Sequence, residues 1–175
     1  TGDGYMILFT TASDAVRFAL RVQALMRAED WGAAGSLRTR VGIHAGELAV
    51  LEMAGQRDVI GLAADTAARV MSLAQGGQIL LTHQAFDDAR QFVSRHPALA
   101  AVQQELVLRW IAHGPYELKG LNDAVEVFEV GAEGVAPLTP PADSEKAKRK
   151  APKNQRRLLG WRPAAGQTVP GRVGW

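Results

Sequence analysis

Cysteine is absent from the 175 residues. That excludes a disulfide framework and a thiolate zinc site, and it fits a reducing compartment, so a cytoplasmic domain is the expectation. No apolar run approaches the roughly 18 residues of a membrane span, and no signal peptide opens the chain. His83, His96 and His113 lack the spacing of a metal-ligand set, which argues against zinc. No internal repeat is present, so a solenoid is excluded. A start methionine is also lacking: Thr1 stands directly ahead of Gly2, Asp3 and Gly4. The expectation is a piece of a longer protein whose other parts could carry targeting or membrane segments.

What is present is enough apolar residue, 47% of the chain, for one sizeable core. The formal net charge of +2 conceals a division, with 11 Lys and Arg against 16 Asp and Glu up to residue 142 and 9 against 2 thereafter. Pro137, Pro140 and Pro141 precede Lys146, Lys148, Arg149, Lys150, Lys153, Arg156 and Arg157. So few large apolar residues cannot offset the ordering entropy, and residues 132–159 are expected to form a disordered basic linker. Lacking interleaved aromatics, it reads as a solvated tether rather than a nucleic-acid or membrane surface.

Ahead of it, Tyr5 to Thr10 reads as a buried strand. Thr11 to Asp14 has capping-box spacing before a helix carrying Val16, Ala19, Leu20, Val22, Leu25 and Met26, which should end before Gly32. Leu37 to Val50 reads as a strand or strand pair, and Val59 and Ile60 as a short strand. Leu62, Thr66, Val70 and Leu73 give the next helix one buried stripe. Ile79 to Leu81 is a core strand, with Thr82 capping a helix that runs through Val93. Residues 98–108 have helical spacing, and Trp110 to Leu118 with Ala124 to Val130 form a terminal antiparallel pair. Alternation mixed with hairpins predicts an α+β sandwich, one sheet covered by helices.

Three places could carry chemistry. In Gly2-Asp3-Gly4 the carboxylate is either part of an ordinary hairpin turn or exposed for close approach to a metal. If Gly61 opens a helix, Asp65 and Arg69 stand four residues apart on one face. They are then either a surface ion pair worth ~0.3 to 0.5 kcal/mol or two groups of a nucleotide site, with Asp58 on the preceding strand end where a purine edge could be read. His44, within Val41 to Glu47, has no serine or cysteine nucleophile in a recognised arrangement nearby, which favours a structural or substrate-adjacent role. Lys119 in its hairpin turn is either solvated or within reach of a phosphate.

Taken together, Gly2-Asp3-Gly4, the Val41 to Glu47 strand, the Asp58 to Arg69 run, Gly76-Gly77-Gln78 before Ile79 to Thr82, and Tyr116 to Gly120 resemble the catalytic domain of class III nucleotide cyclases. The resemblance covers residues 1–131. It implies a ferredoxin-like sandwich of the nucleotide cyclase type, missing its first strands. It also implies that Asp3 is one of two carboxylates holding Mg²⁺ or Mn²⁺, the other lying on an earlier strand outside this chain. Asp58 would contact the purine, Asp65 would replace the family asparagine that orients the ribose, and Arg69 would stabilise charge on the phosphates. The implied substrate is ATP or GTP, and the implied assembly is a homodimer that shares its sites between protomers. The implied reaction makes a 3′,5′-cyclic nucleotide and pyrophosphate, with this piece inactive alone. Asp65 in the asparagine place also allows a different expectation, a catalytically degenerate module that binds nucleotide or dimerises to regulate an attached serine/threonine kinase. Residues 160–175, from Gly160-Trp161-Arg162-Pro163 to Gly174-Trp175, resemble the lead-in to a bacterial serine/threonine protein kinase domain.

Overall fold

The computed structural model describes residues 4–53, 56–93 and 107–150. The first regular element is α1, Ala12–Ala28. Thr11 caps it as the capping-box spacing predicts: its hydroxyl accepts from the Asp14 amide at 3.1 Å and donates to the Asp14 carboxylate at 2.8 Å, a cap worth about 1 kcal/mol. Ser13, Val16, Ala19, Leu20 and Gln23 form its buried stripe. A short 3₁₀ turn, Gly32–Ala34, follows.

The expected strand pair after it resolves into β1, Val41–Ile43, and β2, Ala49–Met53. Then come β3, Gln56–Ile60, α2, Leu62–Leu73, β4, Ile79–Thr82, and α3, His83–Arg90. The terminal pair is β5, Leu108–Leu118, and β6, Val125–Ala132, and β7, Ala147–Arg149, closes the described chain.

Five strands make one mixed sheet in the order β1-β4-β6-β5-β7, while β2 and β3 pair separately as a ribbon. β1 and β4 are parallel, and the other pairings in the sheet are antiparallel. β4 is buried on both faces. Ile79 and Leu81 pack with Val16, Leu20, Phe86 and Phe128 beneath α1 and α3, whereas Leu80 packs with Val70, Leu73, Tyr116 and Val127 beneath α2. The helices thus cover both faces, which explains the continuous apolar run of β4. Burying each leucine of that run contributes on the order of 1.5 to 3 kcal/mol.

Gly42 lies opposite Leu80 in the parallel register and so faces α2. A Cβ there would stand 2.2 Å from the Met71 backbone nitrogen and 2.6 Å from the Ala67 carbonyl oxygen. Only glycine lets this strand and helix meet at that separation.

Two expectations are corrected. Tyr5 to Thr10 is not a strand: Tyr5 is 95% exposed, Met6, Ile7, Leu8 and Phe9 are all exposed, and no described strand pairs with them. An apolar run without a neighbouring strand has no ladder to join; among the described residues its ring contact is Phe9 on Phe18, 5.3 Å between centroids. The second correction concerns the supposed disordered linker, residues 132–159. Up to Lys150 the chain belongs to the domain: Leu118 pairs with Ala147 and Tyr116 with Arg149, Ala147 is buried, and the Tyr116 hydroxyl donates to the Pro141 carbonyl at 3.0 Å. Lysines flanking a single buried alanine suit an edge strand as well as a tether. The helix expected over 98–108 falls mostly on residues 94–106, outside the described residues, as do residues 151–175 with their kinase-like lead-in.

Candidate active site

α2 organises the site. Gly61 is its N-cap at φ 146° and ψ 157°, a conformation nearly confined to glycine, and its carbonyl accepts from the Ala64 amide at 3.1 Å. The turn carries the chain from the β2–β3 ribbon into the helix beside Glu47 and Leu48. Ala63, Thr66, Val70 and Leu73 face the sheet, and this leaves Asp65 exposed and Arg69 half-buried on another side of the helix.

Asp65 and Arg69 share a face as the spacing predicts, yet they are not among the ion pairs of the described residues. Arg69 leans the other way. One of its terminal nitrogens stands 3.5 Å from where a Cβ on Gly120 would be, so the guanidinium lies against the turn joining β5 to β6, where Lys119 is exposed.

Asp58 lies in β3 opposite Leu51, three residues ahead of Gly61. Asp3 lies outside the described residues.

His44 follows β1, and its Nδ1 is 2.9 Å from the Thr82 hydroxyl at the end of β4. Burial pushes its imidazole below the ordinary value, because a charged ring is costly where water is displaced. Thr82 is the N-cap residue of α3, as the sequence predicts, but makes no side-chain cap bond; its hydroxyl serves His44 instead. The parallel register puts His44 and Thr82 at the same end of the sheet. The antiparallel pairings bring the β5–β6 turn, and with it Arg69, to that end also.

Sequence reasoning missed one polar cluster. Glu129 and His113 are buried completely, with His113 Nε2 2.7 Å from Glu129 Oε2. Gln78 donates to the same carboxylate oxygen at 2.9 Å, and the Leu138 amide donates to the other at 3.0 Å. A histidine in β5 and a glutamate in β6 were the available signal, but their pairing depends on the register of the two strands, which is irregular between Ala112 and Gly114.

A family model described as the adenylate and guanylate cyclase catalytic domain matches residues 1–122. The chain belongs to that family. Among curated relatives, receptor-type adenylate cyclase B of Leishmania donovani is 26% identical over 75% of this chain, and receptor-type adenylate cyclase GRESAG 4.2 of Trypanosoma brucei brucei is 32% identical over 55%. The chain spans only 12% and 15% of those proteins.

Solved cyclases share the fold of this cyclase domain. A Trypanosoma brucei adenylate cyclase, described in its monomeric state, aligns over 82% of this chain and 71% of its own, with a TM-score of 0.63 at 22% identity. An adenylate/guanylate cyclase/hydrolase from Silicibacter pomeroyi aligns over 76% of this chain and 70% of its own, with a TM-score of 0.58 at 24% identity. The expected α+β cyclase architecture is thus the observed one, built on a mixed sheet.

The cyclase family is generally dependent on divalent metal. Among the described residues, no group of three or more carboxylates and imidazoles could hold an ion. No described helix is long and apolar enough to cross a membrane.

Proposed function

We propose that this domain supplies the phosphate-facing half of a nucleotide cyclase site, acting on ATP or GTP in a homodimer. The observation that carries the reading is Arg69: no described acidic side chain pairs with it, and it is held against the Gly120 turn. A guanidinium with its donors free is suited to a phosphate group. In the reaction, the ribose 3′-oxygen loses its proton and bonds to the α-phosphorus, while the bond to the bridging oxygen breaks and pyrophosphate leaves. Negative charge grows on the phosphate oxygens in that step, and Arg69 would stabilise it there. Asp58 would contact the purine and Asp65 the ribose. Asp3 of the partner protomer would contribute to holding Mg²⁺ or Mn²⁺, which when bound supplies charge stabilisation and activation of the attacking oxygen.

A second reading is favoured by Asp65, which is exposed and has no described cation beside it. Its charge repels an anionic substrate by roughly 4 kcal/mol at 4 Å and an effective dielectric near 20, enough to leave a module that binds nucleotide or dimerises, and so regulates an attached serine/threonine kinase, without turnover. One assay separates the two. The full-length gene product, given ATP or GTP with Mn²⁺, is followed for cyclic product and pyrophosphate. Turnover that falls about 10²- to 10³-fold in Arg69→Ala supports the cyclase. No turnover in the parent, with turnover appearing in Asp65→Asn, supports the degenerate module.

A further inference from the structure

Residues 123–150 lie beyond the part of the chain that the cyclase family model matches, and their last strand returns to the Arg69 site. β7 lies along the outer edge of β5, with Tyr116 opposite Arg149, Glu117 opposite Lys148 and Leu118 opposite Ala147. The pairing runs one residue past this ladder, for the Lys119 amide donates to the Lys146 carbonyl at 2.8 Å. Lys119 and Gly120 form the turn against which the Arg69 guanidinium rests, and the Leu121 amide closes that turn on the Leu118 carbonyl at 3.0 Å. On the helix side, Ala147 is 3% exposed and shares a packed cluster with Leu118, Val70 and Leu73. Val70 directly follows Arg69 in α2. β7 therefore joins the two walls that hold Arg69, the turn through a backbone bond and the helix through a buried side chain.

The grip is light. Ala147 is the buried residue of β7, and its two neighbours in the strand are exposed. The ion pair between Lys150 and Glu117, at 3.3 Å, joins exposed side chains and contributes little. At the far end, the Lys150 amide donates to the Pro115 carbonyl at 2.8 Å. An edge strand held this way can leave the sheet without unfolding the core, so its docking is a local equilibrium of low free energy.

We propose that β7 is a positioning strap for Arg69: docked on β5 it holds the Gly120 turn and the guanidinium in place, and undocked it releases both, so that docking of this strand controls the nucleotide site. The kinetic consequence rests on the cyclase reading, whereas the hold on Arg69 does not. Two variants of the full-length protein undock the strap: Ala147→Asp sets a charge among Val70, Leu73 and Leu118, and Lys150→Pro deletes the amide bond to Pro115 without touching the core. Labelling with phenylglyoxal, located by peptide mass spectrometry without nucleotide, reads the guanidinium directly. Arg69 should react at least about threefold faster in both variants, with Arg17 of α1 reacting at the parental rate; should Arg17 also speed up in Ala147→Asp, the fold is lost there and Lys150→Pro decides. With ATP or GTP and Mn²⁺, kcat should fall about tenfold or more with KM nearly unchanged, because the misplaced group acts on charge that develops only in the reaction. In an Arg69→Ala background the strap variants should cost nothing further. Arg69 labelling at the parental rate in Lys150→Pro, or a kcat loss that recurs in full on Arg69→Ala, overturns the proposal. A parent without turnover overturns the cyclase reading instead, and labelling alone then decides the strap.

Discussion

His44 shows how a residue's surroundings set its chemistry. Its imidazole is held below the ordinary 6.5 by burial, so as pH falls the unfolded chain takes up the proton before the folded one does. The stability this neutral ring contributes is complete above about pH 6.5 and is lost as pH falls through the lower folded value. His44→Asn, which keeps a polar group near Thr82, should therefore show a smaller drop in melting temperature between pH 7 and pH 5 than the parent. An equal drop would assign the acid sensitivity to other groups. At this scale the site was partly legible. The spacing of Asp65 and Arg69 gave their shared face, but the absence of an ion pair and the lean of Arg69 toward Gly120 depend on a turn some fifty residues away, which no local pattern encodes. The use of the Thr82 hydroxyl by His44 rather than by its own helix was hidden for the same reason.

Elements were legible where local chemistry and burial agreed. The Thr11 cap and apolar stripe of α1, the Gly61 start of α2 and the double-sided apolar run of β4 all carry their own signals. Tyr5 to Thr10 has the composition of a strand but no described neighbour to pair with, and β7 has a neighbour but the composition of a tether. Strand identity is a property of pairs, which is why both were misread. β1 approaches α2 closely at Gly42. Gly42→Ala should destabilise the domain by about 3 kcal/mol or more, because backbone atoms rather than a flexible side chain would have to move. Thermal or urea unfolding measures this, and a loss below about 1 kcal/mol would contradict the close approach.

Across the whole molecule, the Glu129 carboxylate ties β5, the turn before β4 and the segment after β6 into one unit through His113, Gln78 and the Leu138 amide. Gln78 also donates to the Thr139 carbonyl at 2.8 Å, extending the hold toward Pro141 and Tyr116. Glu129→Ala should cost about 3 to 5 kcal/mol, as expected when one partner of a buried polar network is removed, and should raise amide exchange over residues 136–150. Unchanged exchange there would mean that the C-terminal segment is held by β7 alone. The largest-scale claim is that Arg69 completes a site shared between two copies of the chain. Its most direct measurement is complementation in the full-length protein, with Asp3→Ala and Arg69→Ala assayed separately and then co-assembled with ATP or GTP and Mn²⁺. Each variant alone should lose at least about 10²-fold in turnover, and the mixture should regain cyclic-nucleotide formation because one of its two clefts carries both intact residues. A mixture as inactive as its components, from a parent that turns over nucleotide, would contradict the shared site.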